Sequence, residues 1–294
     1  MVWSCLVSIL PGMAQTEKLT DYVNPFVGTD GYGNVYPGAQ IPFGGIQISP
    51  DTDSRFYDAA SGYKYNHLTL MGFSLTHLSG TGIPDLGDFL FIPGTGEMKL
   101  EPGTHEDPDQ GYRSRYSHDK EWASPNYYAV ELADYGVKAE MTSGVRSGMF
   151  RFTYPESDNA FIMIDMNHTL WQSCEWSNLR MINDSTITGY KLVKGWGPER
   201  HVYFTATFSK KLTGLRFVQD KKPVIYNTSR FRSSYEAWGK NLMACISFDT
   251  KAGEEVTVKT AISAVSTDGA RNNMKELDEL TFNAVSYTHL TLPT

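Results

Sequence analysis

Tyr127-Tyr128-Ala129-Val130-Glu131-Leu132 alternates face by face, stops at the turn pair Tyr135-Gly136, and the pattern resumes from Val137 to Thr142. A period of two, rich in aromatic and β-branched residues and broken by a Gly turn, predicts an antiparallel hairpin. Met149-Phe150-Arg151-Phe152-Thr153-Tyr154 alternates next and is stopped by Pro155. Phe161 to Met166 is a continuous apolar run with one Asp. Further runs follow at Thr186 to Val193, His201 to Phe208, Leu242 to Phe248 and Val256 to Val265. The chain therefore reads as mainly β, a sandwich or barrel. No strand–helix alternation occurs, which argues against doubly wound and (β/α)8 folds. No repeat of 20–50 residues stands out.

With 294 residues, 40% hydrophobic and 20% charged, the chain has enough apolar matter for one large domain or two small ones. A formal net charge of −7 is unsuited to nucleic acid or an anionic membrane surface. No apolar run reaches the roughly 18 residues that a membrane helix needs. Cys5, Cys174 and Cys245 form no Cys-x-x-Cys pair. Spacing alone does not decide whether the last two are bridged.

The two ends differ from the middle. Val2 to Leu10 is a short apolar core followed by Pro11-Gly12-Met13-Ala14-Gln15, which predicts a signal peptide over 1–15 whose basic start is missing. A buried N-terminal strand is the alternative. Cys5 has its apolar run behind it, not ahead, so a lipoprotein signal is rejected. A signal peptide implies export to the periplasm, cell surface or medium. Met274, Leu277, Leu280 and Ala284 recur at helical spacing, so a helix is expected to start in 266–285, after a β domain spanning 16–265. Residues 286–294 drop that periodicity and are expected to be a foreign tail on a protein that naturally continues. A frayed strand at a true C-terminus is the alternative.

The first hundred residues are dense in Gly, Pro, Asn and aromatics, as in Asn24-Pro25-Phe26-Val27-Gly28-Thr29-Asp30-Gly31-Tyr32-Gly33-Asn34. Such composition fits ordered irregular loops, where sites are often built. Gly28 to Gly33 misses the dinucleotide spacing, and no Walker loop, zinc-protease motif, EF-hand or Gly-x-Ser-x-Gly elbow occurs. The most site-like stretch is Gly72-Phe73-Ser74-Leu75-Thr76-His77-Leu78-Ser79-Gly80-Thr81-Gly82 with Pro84-Asp85-Leu86-Gly87-Asp88. It offers many donors and acceptors to a polyhydroxy ligand. It is equally readable as a loop whose His and Asp residues brace their own backbone.

A resemblance enters at these residues. Tyr22 to Thr29, Tyr36-Pro37-Gly38-Ala39, Pro42-Phe43-Gly44, Gln47-Ile48-Ser49-Pro50-Asp51-Thr52, Ser61-Gly62-Tyr63-x-Tyr65, Thr76 to Gly82 and Asp85-Leu86-Gly87-Asp88 occur in that order. With Ser124-Pro125-Asn126-Tyr127-Tyr128 and His201-Val202-Tyr203-Phe204, they resemble the N-terminal domain of glycoside hydrolase family 92, the exo-acting α-mannosidases, over roughly residues 20 to 285. The resemblance implies a β-supersandwich of the galactose-mutarotase type, joined through a linker helix to an (α/α)6 catalytic domain beyond this chain. It implies an inverting mechanism run by a Glu acid and an Asp base with Ca2+. Both carboxylates and the metal belong to the absent domain, so no catalytic residue or metal ligand is expected here. The implied substrate-binding residues are His77, Ser79, Gly80, Thr81, Gly82, Asp85, Asp88, Asp30 and Asn34. The implied partners are mannose-containing glycans, either N-glycan or mannan, and the C-terminal domain itself.

This chain departs from many members. Leu75 and Asn34 stand where many have His, and no aromatic lies between Thr81 and Asp88. These changes put the common α-1,2 linkage preference in question, not the fold. Two other functions compete: a non-catalytic carbohydrate-binding β-domain, and a mutarotase-like epimerase using His77 as acid or base with a partner at hydrogen-bond reach.

Overall fold

The computed structural model describes residues 18–54, 59–225 and 235–288. The signal-peptide expectation over 1–15 lies outside them, as do residues 289–294 of the expected tail.

Among the described residues a 3-10 turn over Leu19–Tyr22 comes first, and the strands begin with β1 (Ser49–Asp51), β2 (Thr69–Leu70), β3 (Gly72–Ser74), β4 (Leu90–Thr95), β5 (Ser114–Arg115) and β6 (Glu121–Ser124). The long strands follow: β7 (Tyr127–Leu132), β8 (Val137–Ser143), β9 (Ser147–Tyr154), β10 (Ser157–Asp165), β11 (Ser173–Asn183), β12 (Thr186–Lys194) and β13 (Arg200–Phe208). β14 (Gly214–Gln219), β15 (Lys222–Pro223), β16 (Glu236–Gly239), β17 (Leu242–Thr250) and β18 (Glu254–Ser263) complete the sheets.

One sheet runs β1-β3-β4-β10-β17-β14-β15, and a larger one runs β16-β11-β12-β13-β18-β9-β8-β7-β6, with β2 and β5 as a separate pair. The pairings within all three are antiparallel. The two large sheets share one core, which makes the mainly β sandwich expected. Alternate side chains explain why. Ile162 and Ile164 of β10 meet Phe150 and Phe152 of β9 and Phe204 of β13 in that core. Phe91 lies with its ring 4.8 Å from Phe150, and Phe89 lies 4.5 Å from Phe204. Fully burying one such ring contributes about 2–3 kcal/mol.

The continuous apolar run of β10 has its own cause. Phe161 and Met163 point away from the sandwich into a second cluster with Leu90, Ile92, Tyr112 and Cys245. Both faces of β10 are therefore covered, and a strand covered on both faces loses its polar alternation. Cys174 and Cys245 are buried free thiols that do not pair.

The C-terminal region differs from a single helix. α1 (Thr267–Met274) is capped by the Ser266 hydroxyl, which accepts from the Gly269 N–H at 2.9 Å. A 3-10 turn follows over Lys275–Leu277, the chain reverses at Glu279 with φ 61°, and α2 spans Phe282–Thr288. Leu277, Phe282 and Val285 are buried against Met149, whereas Leu280 stays exposed. The reversal lets Leu277 and Phe282 reach one patch on β9, which one straight helix does not do.

Glu276 fastens this segment to the β8–β9 turn. Its carboxylate accepts from the Val145 N–H, from the Arg146 N–H at 3.1 Å and from the Ser147 hydroxyl at 2.7 Å. Glu276→Ala is expected to lower unfolding free energy by about 1–3 kcal/mol, since three donors lose their acceptor. Hydrogen exchange should accelerate in 275–288 and in the β8–β9 turn together. Acceleration in neither would show that Glu276 does not hold them.

Candidate functional site

The loop after β3 is built as a rim over a buried floor. Ser79, Gly80 and Gly82 are exposed, and Thr81 and Asp85 are half-buried. The Gly80 N–H donates to the Asn34 carbonyl at 2.7 Å, which joins this loop to the Gly28–Asn34 loop. Asn34 itself sits at φ 51°, and Asp30 is exposed beside it, its carbonyl accepting from Gly33. The Thr81 hydroxyl donates to the Ile83 carbonyl at 3.0 Å, and the Asp85 carboxylate accepts from the Leu86 N–H at 2.6 Å. Leu86, Gly87 and Phe89 all have positive φ, a run held in place by its surroundings. Gly87 has no alternative residue, because a Cβ there would meet Leu170 at 2.7 Å.

His77 and Asp88 form the floor, and their side chains reach no solvent. His77 Nε2 lies 2.8 Å from Asp51 Oδ1, and its Nδ1 lies 2.8 Å from the Gln47 carbonyl. The other oxygen of Asp51 holds His168 Nε2 at 2.8 Å. Burial pushes the Asp51 carboxyl up, but His77 and His168 outweigh it and hold it well below the usual carboxylate range. Both nitrogens of His77 are thus occupied inside the protein, which leaves none to exchange a proton with a sugar.

Asp88 is equally enclosed. It is 3.0 Å from the Lys191 ammonium, accepts from the Thr76 hydroxyl at 2.7 Å and from the Arg200 guanidinium at both oxygens. Burial raises its carboxyl, and Lys191 and Arg200 together bring it well below the ordinary range. Lys191 is fully buried too and also donates to the His168 carbonyl at 2.6 Å. One buried network therefore runs from His77 through Asp51 and His168 to Lys191 and Asp88.

Two open cavities lie next to this floor. The larger, about 740 Å³, is lined by Tyr112, Asp165, Asn167, His168, Trp171 and Gln172 among others. Burial pushes the Asp165 carboxyl up and the Tyr112 phenol well up. The second, about 530 Å³, is lined by Pro84, Trp171, Gln172, Ser173, Lys194, Gly195 and Trp196. None of the residues expected from the sequence lines either. His168, Asp165 and Trp171 are missed by sequence reading. The lone Asp in an apolar run, followed by Asn167-His168-Thr169 and Trp171-Gln172, is the signal that marks them. Among the described residues no three His, Cys, Asp or Glu converge on a metal position. The enclosed carboxylates Asp51 and Asp88 are already taken by His, Lys and Arg, so these residues do not fit a calcium ion.

The family model for the glycosyl hydrolase family 92 N-terminal domain matches residues 22–263. The chain belongs to glycosyl hydrolase family 92. Its N-terminal domain superposes on a family 92 α-mannosidase from Bacteroides thetaiotaomicron, also solved with mannoimidazole, with 97% identity and a TM-score of 0.91 over 93% of this chain. A second family 92 glycosyl hydrolase, ccman5, matches at 26% identity and a TM-score of 0.77 over 92% of the chain and 36% of its own. An uncharacterized secreted glycosidase from Arthroderma benhamiae is 30% identical over 139 residues, 47% of this chain and 17% of that protein. The chain spans 37% of the Bacteroides α-mannosidase. No helix among the described residues is long and apolar enough to cross a membrane.

Proposed function

We propose that this chain is the N-terminal, pocket-walling domain of an exported, calcium-dependent, inverting exo-α-mannosidase that trims mannose from N-glycans or mannan. The observation that carries the reading is the 97% identity to an α-mannosidase that extends well beyond this chain. The secreted glycosidase relative supports export. Under this reading the Glu acid, the Asp base and calcium lie in the C-terminal (α/α)6 domain, which 266–285 leads into. An inverting pair sits roughly 6.5–9.5 Å apart with water between, and the residues of this chain contribute position, not proton transfer.

Exposed apolar residues support a covered surface here. Tyr32 and Phe43 are almost fully exposed, and Val27 and Leu68 are largely so, on the same loops that carry Asp30 and Asn34 or neighbour them. Large exposed apolar residues on ordered loops mark a contact surface. The rim of Ser79, Gly80, Thr81, Gly82, Asp30 and Asn34 then faces sugar hydroxyls, while His77, Asp85 and Asp88 set its shape from beneath.

The test is a pair of proteins. The 294-residue chain alone is expected to release no mannose from an aryl α-mannoside. The natural protein containing it should do so, and should lose turnover when calcium is chelated. Absence of α-mannoside hydrolysis by that longer protein would end the reading.

A further inference from the structure

The loop between Thr81 and Asp88 has no aromatic, yet it is not far from one. The Leu170 N–H donates to the Leu86 carbonyl at 2.9 Å, and the Gln172 amide donates to the Pro84 carbonyl at 3.4 Å. Trp171 lies between these two anchors. It has φ 67° and is 56% exposed. A bulky residue rarely adopts positive φ, and such an outlier at an ordered surface points toward function. The turn is braced from within, because the Thr169 hydroxyl donates to the Gln172 carbonyl at 2.8 Å.

A second indole stands across from it. Ser173 at the start of β11 pairs with Lys194 at the end of β12. Trp171 is two residues before the first, and Trp196 is two residues after the second, so both extend beyond the same end of one ladder. Trp196 is 70% exposed. Both line the 530 Å³ cavity. Its remaining groups are an amide, a hydroxyl, one ammonium and a proline, with no carboxylate. Gly195 lets the Gln172 side chain lie close against the backbone, where a Cβ would meet it at 2.6 Å.

We infer that Trp171 and Trp196 form a sugar-stacking platform beside the Pro84–Leu86 loop, which grips the outer units of a neutral oligosaccharide and sets chain preference. This deepens the mannoside reading above and rests on it. The faces of indole rings match the apolar C–H faces of pyranose rings, and amides and hydroxyls at their edges take ring hydroxyls. Lys194 adds one donor without requiring an acidic ligand.

The test titrates the 294-residue chain with a linear α-mannose oligosaccharide, a cello-oligosaccharide and an oligogalacturonate, following intrinsic tryptophan fluorescence. Mannose oligosaccharide is expected to bind, and Trp171→Ala or Trp196→Ala to weaken it about tenfold, as loss of one well-placed ring predicts. Trp171→Phe should restore most of the loss. Trp122→Ala, on the distant edge strand β6, should leave binding unchanged. Mannose-oligosaccharide binding that survives both alanine changes overturns the platform and leaves the mannoside reading standing. Binding of only the cello-oligosaccharide, lost in both variants, keeps the platform and ends the mannoside reading. Preference for the oligogalacturonate, or binding of no probe at millimolar concentration, overturns the platform.

Discussion

Asp88→Ala is expected to lower the stability of the domain by about 3–5 kcal/mol, because it leaves the buried Lys191 ammonium without its counter-charge. Lys191 has no exposed surface, and its other neutral partner is the His168 carbonyl. A carbonyl satisfies one donor but does not offset a full charge. Arg200 is better placed, since its side chain is a quarter exposed and can turn toward water. Equilibrium urea unfolding at pH 7 measures the loss. Asp88→Asn with Lys191→Met should recover part of it, since the cation is then absent and the two sites are coupled. A single Asp88→Ala variant within about 1 kcal/mol of the parent would show that the bridge contributes little. The outcome also separates two roles for Asp88. If it contacts sugar directly, affinity falls without this stability loss. Its enclosure favours the bracing role, with Arg200 as the group it aims.

The parts of the fold that sequence shows are those with local cause. β8 and β9 are legible because polar residues recur at every second position, β7 because it is rich in aromatic and β-branched residues, and the Tyr135-Gly136 turn separates β7 from β8. β12, β13 and β18 are legible for the same reason as β8 and β9, whereas β17, like β10, shows as the unbroken apolar run Leu242 to Ile246 because both of its faces are covered. β11 is not legible, because Ser173–Asn183 mixes Trp, Arg, Asn and Leu without a clean period, and its register with β12 breaks between Cys174 and Trp176. Bulges shift the face assignment of each residue that follows. The split of the terminal helix is hidden too, since the reversal at Glu279 answers to a patch on β9 more than a hundred residues earlier.

The site divides likewise. Density of Gly, hydroxyls and carboxylates picks out 77–88 as a loop with special chemistry. It cannot say which members face solvent. His77 and Asp88 look like the reactive groups by type, yet both are drawn inside by partners remote in sequence: Asp51, 26 positions away from His77, and Arg200, 112 positions away from Asp88. Pairings at such separations follow from the sheet order, which local pattern does not contain.

Asp51→Ala is the second large effect expected, at about 3–5 kcal/mol, and it should carry a pH signature. Asp51 is fully buried between His77 and His168, at 2.8 Å from each. Gly62, at φ 87°, leaves the space that the Asp51 carboxylate fills, since a Cβ there would meet Oδ1 at 2.1 Å. Its carboxyl in the folded protein lies well below the unfolded value of about 3.9. The unfolded chain therefore takes up the proton first. The stabilisation is fully present above about pH 5 and is lost as pH falls from about 4 toward the folded value. Asp88 behaves the same way, so these two carboxylates together contribute up to about two protons to the slope with which the parent loses stability below about pH 4. Asp51→Asn should flatten that slope by about one proton and lower the plateau at pH 7. An unchanged slope would mean that Asp51 is not held as the carboxylate between the two rings. Because Asp51 ties the strand β1 to both the rim loop and the Trp171 turn, its loss should also loosen the two together. Hydrogen exchange in 77–88 and 168–172 is expected to rise in parallel, whereas a purely local defect would raise one alone.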